Sequence, residues 1–186
     1  MSTSSTSSLA TAVPVGSVRG LRAGNLPLQS RPIDIVLAVF FAAFTITSII
    51  SDLLPTLGVN FSAPSPNPIV NANWWYAHDT DPLFMTPPTW MRIITGLSAL
   101  VYMPFYPVLV FCLLTGRNAI QLFAVIYATM IITLTGVVVF GVEFFGDPQW
   151  RTPNPAKFLA FNTWYVLVPL VLLLRMRRPL PFHRRF

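Results

Sequence analysis

The sequence is poor in charged residues, cysteine and histidine. Only 10% of its 186 residues are charged, whereas an ordinary soluble domain has about 25%. Since 54% of the residues are hydrophobic, the composition does not match that of a soluble globular enzyme. Cys112 is the only cysteine, which excludes a disulfide framework and a cysteine-rich metal site. His78 and His183 lie far apart, so a zinc site built on paired histidines is excluded as well. No metal or other cofactor is expected.

The few charges that the chain has lie mostly near its ends. The net charge of +6 would suit a nucleic-acid-binding protein if the basic residues formed one patch. Two thirds of them lie instead in the two terminal segments, at Arg19, Arg22, Arg31, Arg175, Arg177, Arg178, Arg184 and Arg185. Basic ends around an apolar middle are typical of a membrane protein. No nucleic-acid partner is therefore expected.

Four apolar runs are long enough to cross a bilayer, which takes about 20 mostly apolar residues. The runs cover residues 35–54, 93–116, 118–142 and 158–174. The second run ends at Gly116 and only Arg117 lies between it and the third run, so these two runs should form a tight antiparallel hairpin. The alternating short strands of a transmembrane barrel do not occur. The expected fold class is all-α, a four-helix transmembrane bundle.

The remaining segments define the predicted domain boundaries. Residues 1–31 are rich in Ser, Thr and small residues, and are predicted to be a disordered cytosolic tail and not a secretory signal peptide. Residues 32–178 form the membrane domain, and residues 179–186 a basic cytosolic tail. The connection 55–88 contains seven prolines and the aromatic triplet Trp74-Trp75-Tyr76. This composition favours an ordered cap on the bundle over a flexible linker.

The distribution of basic residues predicts the orientation. With four spans, both termini and the second loop share one side, which carries nine basic residues, and the opposite side carries only Arg92, Arg151 and Lys157. By the positive-inside rule both termini are cytosolic, and the cap faces the lumen. Asn60-Phe61-Ser62 in that cap is an acceptor triplet for glycosylation, and its occupancy stays open.

Polar residues recur at helical spacing in every run. In lipid, such residues tend to face the interior of a bundle. The stripes contain Thr45, Ser48 and Asp52; Thr95, Ser98, Tyr102 and Tyr106; Thr129, Thr133, Gly136 and Glu143; and Asn162, Tyr165 and Pro169. Two interpretations are open: a hydrophobic pocket with a few polar groups near the lumenal side, or an ordinary packing seam. Pro104 and Pro107, which should bend the second helix, favour the pocket.

Several short motifs together resemble the EXPERA family of four-helix membrane proteins. They are Trp75-Tyr76-Ala77, Asp81-Pro82-Leu83, Pro87-Pro88-Thr89-Trp90, Met103-Pro104-Phe105-Tyr106-Pro107 and Ala124-Val125-Ile126-Tyr127. The resemblance covers about residues 31–178, and in the loop and the second helix it is similar to the sigma-2 receptor branch. The family also has an emopamil-binding protein branch of sterol isomerases. The resemblance implies an endoplasmic reticulum protein with a sterol-sized cavity open toward the lipid.

The resemblance also implies roles for the acidic residues. Asp52 matches the acid at the end of the family's first helix, which pairs with the ammonium group of cationic ligands. Asp34 stands in the place of a family glutamate. Asp81 matches the acid of the Asp-Pro step in the family's loop.

Two further positions point in opposite directions on catalysis. The family glutamate that partners the loop acid is matched here by Ser98, a departure that argues against sterol isomerisation. Asn162 and Tyr165, spaced from Pro169, resemble an asparagine and a tryptophan on the last helix of the sterol isomerases.

The leading functional hypothesis is a multi-pass endoplasmic reticulum membrane protein that binds a sterol or similar polycyclic lipid. The ligand-binding residues would be Asp52, Asp81, Ser98, Tyr102, Tyr106, Thr133, Asn162 and Tyr165. The alternative is an isomerase or cyclase that protonates a sterol or terpenoid, with Asp52, Asp81 and Asn162 as catalytic residues. A third hypothesis is a trafficking partner of another membrane protein. The expected partners are the membrane and a sterol or terpenoid-like lipid, with a homodimer as an open alternative.

Overall fold

The computed structural model describes residues 26–183 of the chain. Most of the predicted N-terminal tail (1–25) and the end of the predicted basic tail (184–186) lie outside the described residues. Within 26–183 the regular structure is helical, with no β-strand. Four helices are long and apolar enough to cross a membrane: α1 (Pro32–Thr56), α3 (Thr89–Thr115), α4 (Asn118–Phe145) and α5 (Pro155–Met176). The predicted all-α bundle of four membrane helices is confirmed, and the domain boundaries and the cytosolic termini stay predictions.

Consecutive spanning helices run antiparallel. The Thr56 hydroxyl, at the end of α1, donates a hydrogen bond of 3.4 Å to the Thr95 hydroxyl near the start of α3. The Gln121 amide, near the start of α4, donates to the Met176 carbonyl at the end of α5 over 2.9 Å. We call the end that carries residues 57–88 and 146–154 the loop end, and the opposite end the terminal end.

Two local signals shape the connections between helices. Helix α2 (Pro68–Asp79) lies within the predicted cap, where the Asn67 side chain accepts hydrogen bonds from the first free backbone amides and proline occupies the first turn. Helix α3 ends at Gly116, whose φ of 73° is the left-handed conformation that glycine adopts without a Cβ clash. This glycine permits the predicted tight hairpin between α3 and α4.

Three of the spanning helices widen into π-helical geometry in part of their length. The widened segments are Ser48–Asp52 in α1, Ser98–Tyr102 in α3 and Ile132–Val139 in α4. Proline follows the first two segments closely, at Pro55 and Pro104, and cannot donate the backbone hydrogen bond that an α-helix needs there. The widening displaces side chains from the positions that a regular α-helix would give them.

An aromatic core fills the bundle between the widened segments and the terminal end. The rings of Phe41, Phe44, Tyr106 and Tyr127 are buried and pack against one another at centroid distances of 5.5 to 6.1 Å. The Tyr127 hydroxyl donates a hydrogen bond of 3.3 Å to the Tyr106 hydroxyl. This part of the interior is therefore a packing seam.

A buried ion cluster joins the helices at the terminal end. The Asp34 side chain on α1 is fully buried between Arg31, whose Nη1 lies 2.9 Å from Oδ2, and Arg175 of α5, whose Nε lies 2.8 Å from Oδ1. Arg31 also donates to the Leu113 carbonyl at the end of α3 over 2.8 Å. Both guanidinium groups lie over the ring of Phe182. One carboxylate thus connects α1, α3, α5 and the segment after α5.

We expect Asp34→Asn to destabilise the fold by about 3 to 5 kcal/mol, because it leaves the buried Arg31 and the partly buried Arg175 without their shared anion. Thermal unfolding of the detergent-solubilised protein measures the effect. Asp147→Asn is the matched control, since Asp147 is exposed. Equal melting temperatures for Asp34→Asn and the control would show that the cluster does not stabilise the bundle.

Candidate functional site

A cavity of about 420 Å³ lies between the helices toward the loop end. This volume is within the range of roughly 300–1,000 Å³ that is usual for small-molecule sites. All four spanning helices and α2 contribute to its lining, and the polar members are Thr47, Ser51, Asp52, Asn73, Tyr76, Asp81, Thr95, Ser98, Tyr102, Thr135, Asn162 and Tyr165. The described lining contains two carboxyl groups and no Lys, Arg or His.

The Asp52 carboxylate is contacted by hydroxyl groups and not by a cation. The Ser98 hydroxyl on α3 donates to Asp52 Oδ2 over 2.6 Å, and the Ser48 hydroxyl lies 3.5 Å from that of Ser98. All three residues are on the widened segments of α1 and α3. Short hydrogen bonds of this kind stabilise the ionised form of a carboxylate without neutralising it, so Asp52 offers a ligand an acceptor that no cation occupies.

A second polar chain crosses the cavity from α5 to the loop after α2. The Asn162 amide donates to the Tyr76 hydroxyl over 2.7 Å, and that hydroxyl donates to Asp81 Oδ2 over 3.3 Å. The Asn162 amide also donates to the Phe158 carbonyl one turn earlier, which fixes its orientation. Burial raises the pKa of Tyr76 well above its ordinary value, so its hydroxyl keeps its proton and acts as a donor to Asp81.

Asp81 is a buried acid whose carboxyl faces a second acid. Its side chain is 1% exposed, and so is that of Glu143 near the end of α4. Burial raises the pKa of Asp81 to about 6, and its polar neighbours, the Glu143 carboxyl and the Tyr76 hydroxyl among them, offset only part of this increase. Asp81 Oδ1 and both oxygens of Glu143 have no N–H or hydroxyl partner among the described residues. The site therefore contains a carboxyl group that can be protonated near neutral pH.

Two tyrosines complete the polar lining. Tyr165 on α5 donates to the Thr47 hydroxyl over 2.7 Å, and its ring stacks on Phe44 at 4.5 Å. The Tyr102 hydroxyl is buried and has no hydrogen-bond partner in the described structure. Because a buried hydroxyl normally has a partner, the Tyr102 group is a candidate for a contact with a ligand.

Six of the eight residues predicted to bind a ligand come together in this cavity: Asp52, Asp81, Ser98, Tyr102, Asn162 and Tyr165. Two do not. Tyr106 is fully buried in the aromatic core, where its hydroxyl meets Tyr127 and does not reach the cavity. Thr133 is exposed on the outer face of α4 and donates to the Thr129 carbonyl, while Thr135 lines the cavity in its place.

Sequence reasoning missed several lining residues on α1, α2 and α5. Thr47, Tyr76 and Phe161 line the cavity and belong to no predicted site. The cap was expected to be ordered, but it was not expected to hold a helix that turns Tyr76 inward. The signal was the Asn67-Pro68 step, a side-chain cap followed by proline in the first helical turn.

The family comparison covers the part of the chain that holds most of the site. A sequence model of the EXPERA family (expanded EBP superfamily) matches residues 68–176, more than half of the chain. The chain belongs to the EXPERA family. No curated protein matches it at a significant level. The matched region contains Asp81, Ser98, Glu143 and Asn162, whereas α1 with Asp52 lies before it.

The Asp81 pKa predicts a pH-dependent stability. Because its pKa is higher in the folded protein than in the unfolded chain, the folded state binds the proton more tightly, and the contribution of Asp81 to stability falls as pH rises from about 4 to about 7. We expect Asp81→Asn to gain stability relative to the parent protein over this interval. Melting temperatures of both proteins across the interval measure the difference.

Asp79→Asn is the control of opposite sign. Hydrogen bonds from Lys157 and Thr80 lower the pKa of Asp79, so its small contribution to stability is present at neutral pH and is lost on acidification. Asp79→Asn should therefore lose stability relative to the parent as pH rises. If Asp81→Asn followed the same trend as Asp79→Asn, the protonation of Asp81 in the folded protein would be disproved.

Proposed function

We propose that this EXPERA-family membrane protein binds a sterol or a polycyclic lipid of similar size in the cavity at its loop end. The observation that supports this proposal is a cavity of about 420 Å³ whose surface is mainly apolar, with polar groups contributed by each of the helices that line it. Pockets of this kind orient a hydrophobic ligand through a few directional contacts. The long, rigid ring system of a sterol suits a cavity between membrane helices.

The charges at the cavity favour a ligand with a positive or hydrogen-bond-donating group. Asp52 is bonded only to serine hydroxyls, and the lining holds no cation to neutralise it. The rings of Tyr76, Tyr102 and Tyr165 line the same space and offer faces for cation–π contact. An amine-bearing amphiphile should therefore bind more tightly than its neutral counterpart.

The edge of the cavity suggests a route from the bilayer. Trp75 on α2 and Phe161 on α5 line the cavity and are each about half exposed, at 48% and 51%. Both are on elements that meet at the loop end, so an opening between α2 and α5 would admit a lipid from the side. We further propose an endoplasmic reticulum location with cytosolic termini, supported by the excess of basic residues at the terminal end.

We expect Asp52→Asn to weaken binding of an amine-bearing sterol analogue by about 30-fold or more, because truncating one partner of a desolvated charge contact costs at least about 2 kcal/mol. Binding of the neutral parent sterol should change much less. Competition against a photoreactive sterol probe, with the protein in lipid nanodiscs, measures both affinities. Unchanged amine binding would remove Asp52 from the site.

Two bulky substitutions test the cavity itself. Ala72→Trp adds an indole at the lining and should weaken both the amine-bearing and the neutral ligand. Val137→Phe, on the exposed face of α4 and outside the lining, should weaken neither. If Ala72→Trp left both affinities unchanged, the ligand would bind elsewhere.

A second candidate is an isomerase or cyclase that acts on a sterol or terpenoid. It is favoured by Asp81, a cavity-lining acid with a raised pKa that receives a hydrogen bond from Tyr76. Ser98, which stands where the family has a glutamate, is too weak an acid to protonate an alkene, so Asp81 would replace that function. Asn162 would position Tyr76 and through it Asp81.

The chemistry would need no cofactor. Asp81 gives its proton to one alkene carbon, the π electrons form the new C–H bond, and the neighbouring carbon becomes a cation. The Asp52 carboxylate and the tyrosine rings would stabilise this cation in the cavity. Loss of a proton from an adjacent carbon to the Asp81 carboxylate then forms the shifted double bond and restores the acid.

For this second candidate we expect the chain to restore double-bond migration in a host strain that lacks its own sterol isomerase. Asp81→Asn should abolish the rescue, whereas Asp147→Asn, which changes an exposed acid, should retain it. Sterol profiles of the cells measure the outcome. Failure of the correctly inserted parent protein to rescue would exclude that sterol reaction and leave the binding function as proposed.

A further inference from the structure

Glu143 is the one fully buried acid of the loop end that the proposed function does not use. It lies near the end of α4, 1% exposed, and is not part of the cavity lining. Both of its carboxyl oxygens lack an N–H or hydroxyl partner in the described part of the chain. A buried carboxylate without a partner carries a large desolvation cost, so this position requires an explanation.

The group that faces Glu143 is the carboxyl of Asp81. The two carboxyl groups lie close enough for each to affect the protonation of the other, and Asp81 Oδ1, like both Glu143 oxygens, has no hydrogen-bond partner among the described residues. Two ionised carboxylates in such contact repel each other. A single proton between them turns the repulsion into a hydrogen bond, as in other sites where two carboxyl groups share a proton.

The neighbouring elements supply no cation that could neutralise the two carboxyl groups. On α2, Tyr76 faces Asp81 through its hydroxyl. On α5, Lys157 binds Asp79 instead, at 2.9 Å, and in the loop after α4 the Arg151 side chain donates to the Gly146 carbonyl. The ion pairs of residues 26–183 include neither Asp81 nor Glu143. A proton is thus the only positive charge that these residues leave for the two acids.

The loop after α4 holds the two acids together. The Thr152 hydroxyl donates to the Thr80 carbonyl, directly before Asp81, over 2.6 Å, and the Thr152 amide donates to the Glu143 carbonyl over 3.3 Å. Thr152 is therefore bonded to both chain segments that carry the acids. The backbones that carry the two acids are thereby held next to each other.

We propose that Asp81 and Glu143 form a carboxyl pair that holds one proton, in which Asp81 faces the ligand and Glu143 is a positioning residue. The inference rests on the proposed function, because the proton matters only if a ligand reaches Asp81. In the isomerase reaction the pair would give its proton to the alkene and recover one from the carbocation. The pair would begin and end each turnover with one proton. Once the proton has been donated, the repulsion between the two ionised carboxylates would favour the return of a proton to the pair.

Infrared difference spectroscopy tests the pair without requiring turnover. The C=O stretch of protonated carboxyl groups is followed as pH is varied, with the protein in nanodiscs and with carbon-13 labelling of aspartate carboxyls to separate Asp from Glu. Two groups that share a proton titrate in two steps that belong to the pair. With Asp81→Asn or Glu143→Gln, the remaining acid should titrate in one step, between the two steps of the parent and shifted by about one pH unit or more.

The controls separate this inference from the proposed function. Asp147→Asn should leave both steps unchanged, because Asp147 is exposed. If the acid that remains in each single variant titrates at the same pH as one of the two steps of the parent protein, the two groups do not share a proton. This result would overturn the proposed pair even if sterol probes still bind. Coupled steps in a protein that binds no sterol probe would support the pair and overturn the proposed function. If neither variant folds, the parent spectrum decides: absence of a protonated carboxyl near pH 8, where an ordinary Asp or Glu is ionised, overturns the proposal.

Discussion

A polar group buried between membrane helices must find its partner within the protein, since hydrocarbon offers none. Asp34 satisfies this requirement with two arginines, and in doing so ties α1 to α5 and to the segment that follows. Arg31 also connects the end of α3 to this cluster by donating a hydrogen bond to the Leu113 carbonyl. The packing of the terminal end is therefore organised around one carboxylate. The aromatic core beside it can pack tightly because its own hydroxyl groups bond to each other.

The same requirement gives the loop end a different chemistry. The arginines that face the interior are used by Asp34, so the other buried acids rely on hydroxyl groups and on each other. Asp52 is bonded to Ser98, and Asp81 is bonded to Tyr76 and lies beside Glu143. Hydroxyl partners leave a carboxylate charged, whereas a carboxyl partner favours a bound proton. One cavity thus presents a negative group on α1 and a protonatable group on the loop after α2, which together would orient a polycyclic lipid.

The sequence predicts the bundle well because apolar runs of about 20 residues have few alternatives in a membrane. The cavity is harder to predict, and Thr133 shows why. Helical spacing placed it inward, but the π-helical segment Ile132–Val139 has more residues per turn than an α-helix, so the inward position passes to Thr135. Asn162 and Tyr165 both line the cavity as their spacing predicts, although the helix is interrupted at Thr163 between them. Tyr106 kept its inward direction and lies below the cavity, in the aromatic core.

Both interpretations of the polar stripes hold, each for a different part of the bundle interior. Gly136 on α4 packs closely against Val166, where a Cβ would lie 3.3 Å from the valine side chain, as expected of a packing seam. The cavity lies where α1, α3 and α4 all depart from α-helical geometry, and the acids without cations are beside it. Regular helices with small residues would fill this space at lower cost. A sequence that keeps π-helical segments, an unpartnered hydroxyl and neighbouring buried acids in one region departs from local rules of stability there, which is typical of functional sites.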